Sequence, residues 1–119
     1  MLERIDSPAK VLAFRAVGTI EGSDYATVLE PAIKATIAEH GDVRFVYVLG
    51  DEFDGYAATA AWQDAKLGLE NFTKWNRIAV VTNHDWLRNS LRMFGWLLPG
   101  EVRTFAVSDQ AEAIAWAAA

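Results

Sequence analysis

Three carboxylates crowd one short stretch: Asp51, Glu52 and Asp54 in the run DEFDGY, directly after Gly50. Asn83, His84 and Asp85 leave a second apolar run, and Ser108 and Asp109 leave a third. Carboxylate oxygens gathered on such a rim could hold Mg²⁺ or Ca²⁺. The spacing matches no calcium loop, and helix caps or solvated loop charges are the plainer reading. A general base needs an imidazole close to a nucleophile and an orienting acid, and His84, Ser108 and Asp51 could converge in principle. The chain holds no G-x-S-x-G turn to expose a serine, so His84 reads as a hydrogen-bonded loop residue and His40 as a helix-end residue. No G-x-G-x-x-G or Walker pattern offers a phosphate cradle. Cysteine is absent, which removes disulfides, thiolate metal sites and Cys nucleophiles. The residues thus point to no catalytic group, no metal and no cofactor.

The 119 residues are 52% hydrophobic and 23% charged, with a net charge of −5. That composition gives one domain, residues 1–119, with a real core. Nucleic acid is excluded as a partner, because phosphate neutralisation dominates that affinity and no basic run is present. No apolar run approaches the ~20 residues of a transmembrane segment. Met1 to Lys10 carries four charges and a proline, unlike a signal peptide, so the expected location is cytoplasmic.

The elements that must position these loops alternate along the chain. VRFVYVL (Val43 to Leu49) reads as a central strand buried on both faces. Met1 to Ile5 and Lys10 to Val17 read as an antiparallel hairpin at the sheet edge. Arg77 to Val81 and Val102 to Val107 read as further strands. Ser23 is the expected N-cap of a first long helix whose apolar face is Tyr25, Val28, Leu29, Ala32, Ile33 and Ile37. Pro31 cannot donate to the carbonyl of Thr27, which predicts a kink or irregular turns there. Gly41 ends that helix as a C′ glycine. In the second helix Ala58, Trp62, Ala65, Leu69 and Phe72 form the expected buried stripe, with Gly68 marking close packing. A third helix runs from about Asp85 to Leu98 and stops at Pro99-Gly100. Ser108 or Asp109 caps the last. The fold class is α/β: a mixed, mostly parallel five-stranded sheet with four helices on both faces.

The third helix is too apolar for one contact. Met93, Trp86, Leu97, Phe94, Leu87, Leu98 and Leu91 fill an arc of about 160°, against the ~100° a half-buried helix requires. Trp96 lies outside this arc beside Arg92, at cation–π spacing. An over-wide arc predicts a second contact: a self-interface, a partner or a ligand pocket under the helix. The chain has five tryptophans, and Trp62 and Trp86, each following a strand-exit loop, could line one cavity.

These residues resemble a known family. The element order, YATVLEPAI (Tyr25 to Ile33), WQDAKLGL (Trp62 to Leu69) and RIAVVTN (Arg77 to Asn83) look like the STAS-like proteins related to stage II sporulation protein AA, also described as STAS/CRAL-TRIO-like domains. The resemblance spans nearly the whole chain. It implies a regulatory switch in which a serine at the start of the second helix is phosphorylated. The matching stretch here, DEFDGYAAT (Asp51 to Thr59), holds no serine, and Thr59 is its only hydroxyl besides Tyr56. The CRAL-TRIO side of the resemblance implies an apolar or lipid-like ligand.

The expected function is a non-enzymatic binding module holding an apolar or lipid-like small ligand at Asp54, Tyr56, Trp62, Trp86 and Met93. The alternative is a regulatory protein–protein module similar to an anti-anti-sigma factor, with Thr59 as phosphorylation candidate. A homodimer is expected through Trp86, Met93, Trp96 and Leu97.

Overall fold

The computed structural model describes every residue except Pro99, and describes residues 65, 68, 69, 72 and 94 by backbone alone. Strand β1 (Leu2–Arg4) lies antiparallel to β2 (Val11–Ala16). After β3 (Gly18–Ile20) comes one long helix in three parts: α1 (Gly22–Asp24), a π-helical turn (Tyr25–Leu29) and α2 (Glu30–His40). Then follow β4 (Val43–Leu49), β5 (Phe53–Tyr56), α3 (Ala58–Glu70), β6 (Trp75–Thr82), α4 (Asp85–Phe94), a 3₁₀ turn (Gly95–Leu97), β7 (Glu101–Phe105) and α5 (Gln110–Ala118). The main sheet has the order β1-β2-β4-β6-β7, parallel except for β1.

From β2 to β7 the chain steps one strand at a time in one direction. Right-handed crossovers then place α2, α3 and α4 on the same face. Only α5, which folds back after β7, covers the other. Strand alternation sorts the side chains accordingly. Leu12, Phe14, Phe45, Tyr47 and Val80 pack under the three helices with Leu29, Ile33 and Leu67. Val11, Ala13, Val46, Val48, Ala79 and Val81 pack under Ala113 and Ala117 of α5. Arg44 and Arg77 donate to the terminal carbonyls of α5, to Ala117 and Ala119 at 2.8 Å and to Trp116 at 2.7 Å, which satisfies the orphan acceptors of that helix.

The central strand, the N-terminal hairpin and the Gly41 cap (φ 83°) stand as expected. So does the irregularity before Pro31: the chain widens into a π turn in which the Glu30 N–H reaches the Tyr25 carbonyl. Several expectations are corrected. The first helix begins at Gly22 with Glu21 as N-cap, not Ser23, and the Asp24 carboxylate accepts the Glu21 N–H at 2.8 Å. The π turn leaves Val28 exposed while Tyr25, Leu29 and Ile33 point inward at steps of four. A second, two-stranded parallel sheet pairs β3 with β5, where the acidic run was expected to be loop. Gly18 (φ 69°) and Gly55 (φ 124°) permit its turns.

The largest correction concerns α3. Among the described residues its buried positions are Ala60 and Leu67, while Ala58 and Trp62 face solvent. The side chains expected at Ala65, Leu69 and Phe72, and the packing at Gly68, lie outside the described residues. The helix rotation is fixed by its first turn. Thr59 Oγ1 accepts the Gly22 N–H at 3.1 Å, and a Cβ on Gly22 would stand 2.9 Å from Thr59 Cβ. Backbone-close contact at that point turns Ala60 inward, and seven residues on, two helical turns, Leu67 follows.

Candidate ligand and interaction site

Helix α4 rests on the sheet through Leu87 and Leu91, both half-buried against the main core. The other described side chains of its apolar arc are open. Trp86 is 55% exposed, Met93 64%, Trp96 79% and Leu97 57%, and Leu98 is also exposed. Trp62 on α3 is 69% exposed. The structure thus brings Trp86, Met93, Trp96 and Leu97 onto one continuous helix-and-turn segment facing water. Trp96 does not sit over a cation as expected: its Nε1–H donates to the Met93 carbonyl at 3.1 Å. The cation–π contacts among the described residues gather at the far side of the sheet, with Arg77 5.1 Å from the Trp116 ring. Phe94 lies outside the described side chains.

Behind α4 the β5 strand carries aromatic contacts toward the start of this helix. Phe53 is buried, edge-on to Tyr56 at 5.0 Å and to His84 at 5.9 Å. His84 donates from Nε2 to the Gly50 carbonyl at 3.1 Å, and its own N–H reaches Thr82 Oγ1 at 3.1 Å. That is the satisfied loop histidine of the plainer reading. Asp54 is exposed on β5.

A feature missed in the sequence lies under α3. The chain has three tyrosines, and all three meet. Tyr25 from the π turn and Tyr47 from β4 are buried, with their hydroxyls 3.1 Å apart. Tyr56 joins from β5. Desolvation pushes the Tyr47 phenol up to about 12, with the hydroxyls of Tyr25 and Tyr56 acting in the opposite direction. Desolvation also raises Tyr25, reinforced by the charge of Asp64, and raises Tyr56, reinforced by Tyr47. Asp64 of α3 completes the group. Desolvation holds its carboxyl above the usual range, and the Tyr25 hydroxyl pulls it back. Solvent reaches the Asp64 residue, which screens that effect. The three phenols thus stay protonated and available for hydrogen bonding at neutral pH. No local pattern in the sequence marks it: Tyr25 opens the π turn, Tyr47 lies within β4 and Tyr56 ends β5.

On the opposite face, at the carboxyl ends of β2 and β4, a cleft of about 320 Å³ is lined by Arg15, Val48, Asp51, Glu52, Val107 and Gln110. Asp51 and Glu52 of the anticipated rim reach this cleft. Asn83 instead fixes the β7–α5 turn, its Oδ1 accepting the Val107 N–H at 3.1 Å. No cluster of metal-ligating side chains forms among the described residues, and no helix there is long and apolar enough to cross a membrane.

Thr59 is on the first turn of α3, exposed, with its oxygen engaged by Gly22. With that geometry in place, comparison with known proteins is informative. No curated protein matches the chain. A crystal structure of an uncharacterized protein of the DUF3478 family with a SpoIIAA-like fold, from Shewanella loihica PV-4, superposes with a TM-score of 0.78 at 28% identity. The alignment covers 98% of this chain and 91% of that one. The profile of the SpoIIAA-like family matches residues 11–118, and the chain belongs to that family.

Proposed function

We propose that this protein is a non-enzymatic binding module that holds an apolar or lipid-like small molecule against α3 and α4. The observation that carries the reading is the exposure of Trp62, Trp86 and Met93 while, among the described side chains, Leu87 and Leu91 seat α4 on the sheet. Large apolar side chains left in water on a lightly seated helix gain free energy when a ligand covers them. Asp54, exposed on β5, and Tyr56 at its end are the candidates for orienting a polar end. The SpoIIAA-like fold, a regulatory and generally non-enzymatic one, supports the class. Native mass spectrometry of protein purified gently from its own host tests it. Extra mass that disappears on denaturation is the expected result; a bare chain under all mild conditions refutes it.

A second reading is favoured by one observation. Thr59 occupies the helix start where the family resemblance places a phosphorylated serine, and its oxygen holds the Gly22 N–H. A phosphate there would break the α1–α3 contact and alter the surface shown to a regulatory protein. In that reading copies of the chain pair through Trp86, Met93, Trp96 and Leu97. Sedimentation of the wild type and of Trp96→Asp distinguishes a dimer from a monomer.

A further inference from the structure

One face of the main sheet is only partly covered. Five strands at about 4.8 Å spacing present a face roughly 19 Å wide, and the single helix α5, about 10 Å across, covers about half of it. At the carboxyl ends of β2 and β4 the remainder opens as the cleft of about 320 Å³, within the size range of small-molecule sites. Its lining includes a cross-strand pair, since Arg15 and Val48 are register partners on β2 and β4. Gly50, Asp51 and Glu52 line it from the turn after β4, and Val107 and Gln110 from the entry to α5. These walls are held from behind by three consecutive residues that end β6. Thr82 Oγ1, fully buried, donates to the Leu49 carbonyl at 2.8 Å. Asn83 Oδ1 accepts the Val107 N–H at 3.1 Å, and His84 Nε2 donates to the Gly50 carbonyl at 3.1 Å. From β3, the Gly18 N–H donates to the Glu52 carbonyl at 2.6 Å. The turn and the helix entry are thus pinned through their backbone, so a ligand there has little left to order.

The lining carries both signs of charge. Arg15 is half-buried, and its contact with Glu3 is a long one, 3.4 Å between two solvent-accessible side chains. Such pairs contribute little, so the guanidinium is available to a ligand. Asp51 and Glu52 are exposed. A simple anion in the cleft would meet two carboxylates, and a simple cation would meet a guanidinium, and like charges brought together select against both. A molecule with one group of each sign satisfies both sides, and Val48 and Val107 give its carbon chain an apolar contact. We infer that this cleft binds a small zwitterion, with its carboxylate on Arg15 and its ammonium on Asp51 and Glu52. The inference is independent of the apolar-ligand reading, whose side chains stand on the helices of the other face.

Titration calorimetry at neutral pH tests it with glycine, γ-aminobutyrate and ε-aminohexanoate, which bracket the separation of the two charges. Each is measured beside the alkanoate and the alkylamine of the same chain length. At least one zwitterion is expected to bind wild type about tenfold tighter than both of its singly charged counterparts, as for one added charge-assisted hydrogen bond at either end. Arg15→Gln is expected to bring that zwitterion down to the affinity of the alkylamine. The double variant Asp51→Asn, Glu52→Gln is expected to bring it down to that of the alkanoate. All three substitutions are at solvent-accessible side chains, and the urea midpoint checks that each variant is folded. Zwitterions that bind wild type no better than their counterparts overturn the inference. So does a zwitterion whose affinity is the same in wild type and in both variants, because its site is then not this cleft.

Discussion

Replacing Trp86 with alanine separates a binding surface from a core. With 55% of Trp86 in water, a ligand covering it removes on the order of 110 Å² from solvent, taking roughly 200 Å² for the whole side chain. At about 25 cal/mol per Å² that is about 2.7 kcal/mol, or close to a hundredfold in affinity if the cover is complete. A partial cover brings the expected loss to between about ten- and a hundredfold. The folded state loses much less, because Trp86 is absent from the clusters that hold the sheet. Exposed substitutions generally fall within about 0.5 kcal/mol of neutral. The assay is paired: the urea midpoint for stability, and native mass spectrometry or probe displacement for binding. Unchanged binding with an unchanged midpoint refutes the ligand surface. A loss of more than about 2 kcal/mol in stability refutes the premise that α4 is lightly seated. Met93→Ala, at 64% exposed, is expected to follow the same pattern with a somewhat smaller binding loss.

Tyr25→Phe and Tyr47→Phe should each cost about 1–2 kcal/mol, and the double variant less than their sum, because removing both hydroxyls strands neither; a double-mutant cycle in urea measures this, and strict additivity rules out the 3.1 Å contact. Asp64→Asn should stabilise the protein at pH 7 and not at pH 3.5. A carboxyl whose native pKa is raised favours folding below its unfolded value of about 3.9 and loses that advantage as pH rises through the native value. Solvent access keeps the effect below about 1 kcal/mol, and urea midpoints across that range check the sign. Gly22→Ala should destabilise by about 1–3 kcal/mol, because the new methyl meets Thr59 Cβ at 2.9 Å; an unchanged melting temperature would show that α1 and α3 can separate at no cost.

The sheet was legible because its strands are dense in β-branched and aromatic residues, and a strand buried on both faces such as Val43 to Leu49 has no other reading. Pro31 and Gly41 announced their effects through fixed backbone chemistry. Three features were hidden for physical reasons. The β5 strand lies in the run DEFDGY, where charges at the turn mask a short strand with Phe53 as its buried side chain. The rotation of α3 was hidden because alanines lie on several of its faces and fit a core or a surface. What decides between them is a contact with Gly22, 37 residues earlier, which no local periodicity contains. The tyrosine cluster draws one phenol from each of three elements, so it exists only after the chain has closed. The open face of α4, by contrast, was visible as an arc wider than one packing contact can fill.

Why that arc stays open follows from the winding. A sheet walked in one direction puts its crossover helices side by side, and the last of them has a neighbour on one side only. Helix α4 spans β6 and β7, the strands at the far edge, while α3 flanks it toward the centre and α5 has gone to the other face. A helix in that position can bury one narrow stripe, here Leu87 and Leu91, whatever its composition. A purely structural edge helix would be polar elsewhere, because apolar surface left in water gains nothing on folding and invites aggregation. In this chain Trp86, Met93, Trp96 and Leu97 occupy those positions instead, beyond the reach of any packing partner the topology can supply. Their identity is therefore unexplained by folding, and that is the ground for proposing an occupant from outside the chain.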